Sequence, residues 1–238
     1  MKIKFLNYYL FLFIILLCII INKTGRDVSK MYDTIIFDFN GTLIDDCDLC
    51  LKILNYLTKE YELETVSMKK YKEIFTFPVY LYYKELGFNT DINEFALVAK
   101  KFHAYYNDLS YKEVKLFDSV VEVLNTLSKR VKLVCLSASL KETLIKQLKF
   151  YNIYDYFNYI VGLEDTHANS KEEVAIKFMK ENNIDCKKTL MVGDSIHDFE
   201  VASAINVDCI LVSTGHTSKK RLLETNCKVI DDLKELIL

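Results

Sequence analysis

Thr34-Ile-Ile-Phe-Asp-Phe-Asn-Gly-Thr-Leu-Ile-Asp-Asp46 is the stretch that decides the fold. The run before Asp38 is short, apolar and β-branched, which reads as a buried strand rather than a helix, and Gly41 permits the turn that ends it. Asp38 is thereby delivered to the C-terminal end of a strand, where open α/β sheets bind their ligands. A carboxylate presented there is a candidate nucleophile. The competing reading is an acidic loop after a buried strand.

Three later segments decide between these. Val131-Lys-Leu-Val-Cys-Leu-Ser137 is a second apolar run, ending in a hydroxyl; Ser170-Lys171 opens a helix; Thr189-Leu-Met-Val-Gly-Asp-Ser-Ile-His-Asp198 is a third buried run, ending in two carboxylates. In this order the segments resemble the haloacid dehalogenase superfamily, whose members are mostly magnesium-dependent phosphatases, and the resemblance covers residues 31–238. That family's first motif is Asp-x-Asp-Gly-Thr, here Asp38-Phe39-Asn40-Gly41-Thr42, so position 40 departs from it. Ser137 matches the second motif and Lys171 the third. Gly193, Asp194, Ser195 and Asp198 match the fourth in full.

Composition sets the outer bounds. With 238 residues and 51% hydrophobic content, the chain buries one large core, or a core plus a small insertion, and is not disordered. A net charge of −2 without a basic stripe gives no support to nucleic-acid binding, which needs many neutralised phosphates. The seven cysteines are odd in number and scattered, and a reduced, cytoplasmic interior is the simpler reading. Cys47-x-x-Cys50 stands without a second pair or a His cluster. Cys50, Leu54, Leu57 and Tyr61 share a helical face, so Cys50 reads as core packing.

Residues 5–21 are almost wholly apolar. As a helix they would span roughly 26 Å, against a hydrocarbon core of about 30 Å. A membrane anchor is one reading, with Lys23, Arg26 and Lys30 holding the following segment on the cytoplasmic side. The other is that residues 1–30 are a mis-called start, because members of the superfamily commonly begin about where Met31 lies. A cleaved signal peptide ranks third, for want of a small-residue cleavage site.

Beyond Asp46 the pattern is helical for some seventy residues. Helices are expected over 48–60, near 78–86 with Pro78 at the start and Gly87 at the end, and from Asp91, where Glu94 completes a capping-box spacing. From about Leu116, helix and strand alternate, which implies a parallel sheet with right-handed crossovers. Strands are expected over 131–136, 159–161, 189–192 and 209–212. Helices are expected over 119–129, 140–150, 171–182, 198–205 and near Asp232. The resulting fold class is α/β, a Rossmann-like parallel sheet core (31–46 and 116–238) with an all-helical insertion (47–115). That insertion matches the superfamily's helical cap in position and size.

The resemblance supplies roles. Asp38 attacks phosphorus and ligates Mg²⁺, Asn40 lends its backbone carbonyl to the metal, Asp194 binds the metal directly, and Asp198 binds it directly or through water. Thr42, Ser137, Ala138 and Lys171 fall to the phosphate. Physical reasoning supports a cation independently: attack by a carboxylate on a phosphate dianion brings anions together, and a hard divalent ion with oxygen ligands relieves the repulsion. Lys171 has its own argument. A Ser170/Glu173 capping box puts it at the first helical position, where the helix dipole disfavours a cation, so an anion should sit beside it. Ser139 with Glu142 is expected to cap the next helix and to add an anion-binding surface.

Asn40 is the difficulty. In the family the second aspartate protonates the leaving oxygen and then activates water, and an amide does neither; such help is typically worth about 10²–10⁴-fold. His197, Asp45, Asp46 and His167 are candidate replacements. His197 and His216 are candidate substrate contacts on the ligand side of the sheet, and Tyr80, Tyr82, Tyr83, Lys84 and His103 are candidates in the insertion. The leading reading is a Mg²⁺-dependent phosphatase acting on a small phosphorylated substrate, phosphoglycolate-like, through an aspartyl-phosphate. A catalytically weakened phosphate-binding protein and a phosphomutase stand as alternatives.

Overall fold

The computed structural model describes residues 28–164 and 170–237. The apolar stretch 5–21 and His167 lie outside the described residues. Among those described, no helix is long and apolar enough to cross a membrane.

Strand β1 (Thr34–Phe37) is fully buried and central. It is flanked by β4 (Lys132–Leu140) and β6 (Thr189–Gly193), in parallel register with both: Phe37 pairs with Cys135 on one side and Val192 on the other. Outward follow β5 (Tyr159–Leu163) beyond β4, and β7 (Asp208–Val212) then β8 (Lys228–Ile230) beyond β6, giving the order β5-β4-β1-β6-β7-β8. Strand order reverses about β1, so the crevice at the C-terminal ends of β1, β4 and β6 is the topological switch point.

Alternate residues of β1 serve opposite faces, as the two-residue period of a strand requires. Ile35 and Phe37 belong to one apolar cluster with Leu133, Cys135 and Val192. Ile36 faces the other, with Val134 and Met191, under α7 (Lys171–Glu181) and α8 (Ile196–Ala204). Helices α5 (Val120–Leu127) and α6 (Lys141–Phe150) cover the first face.

Between β1 and β4 the chain leaves through β2 (Ile44–Asp45) and returns through β3 (Lys115–Leu116), which pair antiparallel. The helical cap region lies between them: α1 (Cys47–Glu60), α2 (Met68–Ile74), α3 (Tyr80–Glu85) and α4 (Ile92–Glu113). α1 packs along α4, and the first apolar cluster continues into the cap through Leu49, Ile53, Leu57, Tyr71 and Tyr83.

Several local expectations are corrected. Asp91 precedes α4, but its side chain makes no cap bond; its amide is taken by Asn89 Oδ1 at 3.0 Å. Ser139 caps nothing, because β4 runs on to Leu140 and α6 starts after it. The closing helix is a short 3-10 turn, Leu233–Leu236. α2, capped by Ser67 through the Lys70 amide, and the β2–β3 pair were not expected, nor was β8.

Candidate active site

β1 ends at Phe37, and the Asp38 amide donates to the Val192 carbonyl at 2.9 Å, which fixes Asp38 beside the end of β6. The next turn is tight: Gly41 has φ +72°, and a Cβ there would stand 2.6 Å from Asp194 Oδ2 and from the His216 ring, so both conformation and space demand glycine. Thr42, fully buried, donates from Oγ1 towards Asp38 Oδ2 at 3.3 Å and Asp194 Oδ1 at 3.2 Å. β6 delivers Asp194 directly, and α8 delivers Asp198 from its first turn.

Ser195 and Asp198 form a reciprocal cap that the sequence reading did not identify. Asp198 Oδ2 accepts from the amides of Asp194 (3.1 Å) and Ser195 (2.9 Å) and from Ser195 Oγ (2.7 Å), leaving Oδ1 for the centre. Asp194 Oδ2 accepts the His216 amide at 2.6 Å. Gly215 is required there, because a Cβ would come within 2.1 Å of that oxygen.

Lys171 meets the anion its position called for. The Ser170/Glu173 capping box forms in both directions, and Lys171, 5% exposed, directs Nζ to Asp38 Oδ1 and, at 2.6 Å, to Asp198 Oδ1. Burial alone would lower the Lys171 pKa, but Asp198 and Asp38 raise it above its ordinary value, so it stays charged. One oxygen from each of Asp38, Asp194 and Asp198 lies within 4.8 Å of the others. Three carboxylates against one ammonium leave an excess of negative charge. Burial, opposed by Lys171 but reinforced by Asp198 and Asp194, pushes Asp38 up to about 8. Burial also takes Asp194 up to about 6, against the pull of His216. Asp198 is held below its usual value because Lys171 and Ser195 outweigh its burial. A buried set of hard oxygens with uncompensated negative charge fits a divalent cation such as Mg²⁺.

Asn40 opens onto a second network. Its Nδ2 donates to Asp46 Oδ2 and to Tyr106 Oη, both at 2.8 Å, and Tyr106 donates to the same Asp46 oxygen at 2.7 Å. Asp46 Oδ1 accepts the Gly41 amide at 2.9 Å and lies 3.2 Å from His216 Nε2. Burial would raise Asp46, yet His216, Asn40 and Tyr106 hold it below the carboxylate range. Burial would lower His216, yet Cys47 and Asp46 raise it well above its ordinary value, so the pair is an ion pair. The other His216 nitrogen, Nδ1, meets Tyr71 Oη at 2.9 Å. Cys50 is buried in the apolar cluster as expected, with Sγ also 3.7 Å from Asp46 Oδ2. Asp46, Cys50 and His216 thus come within ligand range of one another, although their polar atoms already serve this network.

The remaining candidates separate clearly. Ser137 is buried next to β1 at the end of the apolar run, but its Oγ accepts from the Ser139 amide at 3.1 Å; Ala138 is exposed at the crevice. Asp45 is exposed on the β2–β3 pair. His216 is a buried strut rather than a free contact. His197 is partly covered by Phe77, whose ring stacks on it at 4.6 Å. Tyr82 and Tyr83 are buried within the cap, and Tyr80 and Lys84 are exposed. Four cap rings meet residues of the site: Tyr71, Phe75, Phe77 and Tyr106. Phe75 stacks on His216 at 4.9 Å. Sequence reading missed these four, since nothing local marks an aromatic ring for contact with a loop 60 or more residues away.

A family model described as haloacid dehalogenase-like hydrolase matches residues 35–212. A pyrophosphatase, PpaX, of Halalkalibacterium halodurans is 27% identical over 168 residues, covering 70% of this chain and 76% of its own. A phosphoglycolate phosphatase of Pseudomonas syringae pv. tomato is 26% identical over 219 residues, covering 88% and 80%. Among solved structures, a haloacid dehalogenase-like family hydrolase from Streptococcus pneumoniae superposes with a TM-score of 0.75 at 18% identity, covering 87% of this chain and 97% of that one. That likeness speaks to the fold.

Proposed function

The chain belongs to the haloacid dehalogenase-like hydrolases, and from that premise we propose that it is a Mg²⁺-dependent phosphatase of small phosphorylated molecules in which Asp38 is the nucleophile. The observation that carries this reading is the convergence of Asp38, Asp194, Asp198 and Lys171, from two strand ends and two helix starts, on one buried centre. Relatives at about this similarity are named for pyrophosphate and phosphoglycolate, so the substrate class rather than the substrate is proposed.

Asp38, Asp194, Asp198 and the Asn40 carbonyl would hold the metal, which when bound supplies charge neutralisation for the entering phosphate. A carboxylate oxygen of Asp38 forms a bond to phosphorus as the bond to the leaving oxygen breaks, giving an aspartyl-phosphate. Water then attacks that phosphorus, releases inorganic phosphate and restores Asp38. Lys171, already oriented between Asp38 and Asp198, exchanges part of its contact for the phosphate oxygens. Thr42, Ser137 and the Ala138 amide offer donors at the crevice.

Asn40 shapes which substrates turn over. The amide has no proton to release near neutral pH, so an alkoxide leaving group departs without help from this position. Phosphoanhydrides and aryl phosphates, whose leaving groups are stable anions, are the substrates this centre handles best. A panel of alkyl, aryl and anhydride phosphates, assayed with Mg²⁺ on the wild type and Asp38→Ala, tests the proposal. Turnover that survives Asp38→Ala refutes it. Tight phosphate binding without turnover in the wild type favours instead a binding protein weakened at position 40.

A further inference from the structure

Away from the active centre, β7 and β8 bring two cysteines together. The register pairs Ile210 with Lys228, so Cys209 of β7 stands opposite Cys227, the residue just before β8, one step ahead of the ladder. Neighbouring strands lie about 4.8 Å apart, inside the roughly 4.4–6.8 Å window of Cα separations that a disulfide spans. Cys227 Sγ donates to the Cys209 carbonyl at 2.9 Å, so its sulfur lies against the residue opposite. Both thiols are free and half-buried, whereas Cys47, Cys50 and Cys135 are buried.

We propose that Cys209 and Cys227 are a redox-responsive dithiol that closes to an intramolecular disulfide by exchange with a low-molecular-weight disulfide such as glutathione disulfide. The Cys227 thiolate attacks one glutathione sulfur, forming a mixed disulfide and releasing one glutathione thiolate. Cys209 then loses its proton, attacks the Cys227 sulfur and expels the second glutathione. Two protein thiols are oxidised and one glutathione disulfide is reduced to two thiols, so electrons and protons balance.

The position gives the bond a consequence. It would bracket residues 210–226, the segment whose His216 amide holds Asp194 and whose Arg221 reaches the cap. Arg221 Nη1 donates to the carbonyls of Phe75 (2.7 Å) and Lys72 (3.2 Å), and the Ser218 amide donates to Lys72 at 3.1 Å. Closing the ring ties the loop that joins the metal-side carboxylate to the cap.

The test uses the full chain. Reduced protein is incubated with glutathione disulfide, quenched in acid, alkylated and mapped by peptide mass spectrometry. The expected result is a peptide linking Cys209 to Cys227, with two fewer titratable thiols and no glutathione retained on either residue. Cys209→Ser should instead hold glutathione on Cys227 as a stable mixed disulfide. The wild-type map decides the linkage even where that variant does not fold. Persistent glutathione adducts without the linkage, thiols that stay reduced, or a bond joining Cys47 to Cys50 would each overturn the proposal.

Discussion

Asn40→Asp is the substitution that bears most on the chemistry. Asn40 Nδ2 lies 2.8 Å from Asp46 Oδ2, so the new carboxylate would face an existing buried one at hydrogen-bond distance. Two unit charges at that separation repel by about 6 kcal/mol at an effective dielectric of about 20. The pair relieves this by taking up a proton, because two carboxylates sharing a site cannot both ionise. Residue 40 then carries or shares a proton at neutral pH, which is what an acid for the leaving oxygen requires. The expected gain in kcat is of order 10²-fold or more for alkyl phosphates, within the usual range for general acid catalysis, and small for aryl phosphates, whose leaving groups need no proton. Steady-state assays on a series of esters of graded leaving-group pKa measure this as a flattened dependence of rate on leaving group. Asn40→Asp/Asp46→Asn, which swaps the two groups, tests whether position matters, at a cost in stability because it removes the carboxylate that faces His216. An equal change for alkyl and aryl esters in Asn40→Asp refutes the reasoning.

Other outcomes follow from the same geometry. In the metal-free protein Asp38 is raised to about 8 and Asp194 to about 6, so between pH 3.8 and 8 the folded state binds more protons than the unfolded one and stability falls as pH rises. Mg²⁺ competes with those protons, so the melting-temperature increase it gives should be larger at pH 8 than at pH 6; an increase that shrinks with pH contradicts this. Lys171→Met leaves Asp38 and Asp198 buried without their cation and should cost about 3–5 kcal/mol by denaturant titration without metal, with partial recovery in Mg²⁺. Gly215→Ala, whose Cβ would stand 2.1 Å from Asp194 Oδ2, should weaken Mg²⁺ binding measured by calorimetry; unchanged affinity would show that the loop yields freely.

The core was legible because its signals are local. Buried strands of a parallel sheet read as apolar runs, and β1 and β6 each end where a polar side chain interrupts one, whereas β4 runs past Ser137 to Leu140. Lys171 announced itself by standing against the helix dipole, and the structure supplies Asp38 and Asp198 as the reason. The Asp46 network was only half visible. Asp46 drew attention as an acid near position 40, but its partners Tyr106 and His216 are 60 and 170 residues away, and no period or spacing links them. Ser139 misled because its spacing to Glu142 suits a cap, while pairing of β4 with β5 through Leu140 holds that segment extended. The β2–β3 pair is two residues long on each side, too short for alternation to show.

A crystal structure of the protein with Mg²⁺ and beryllium fluoride tests the central claim most directly. The account predicts a beryllium–oxygen bond to Asp38, with the ion held by Asp38 and Asp194 and with Lys171 on a fluoride. An occupied ion site beside a bare Asp38, or beryllium bound to another side chain, would contradict it.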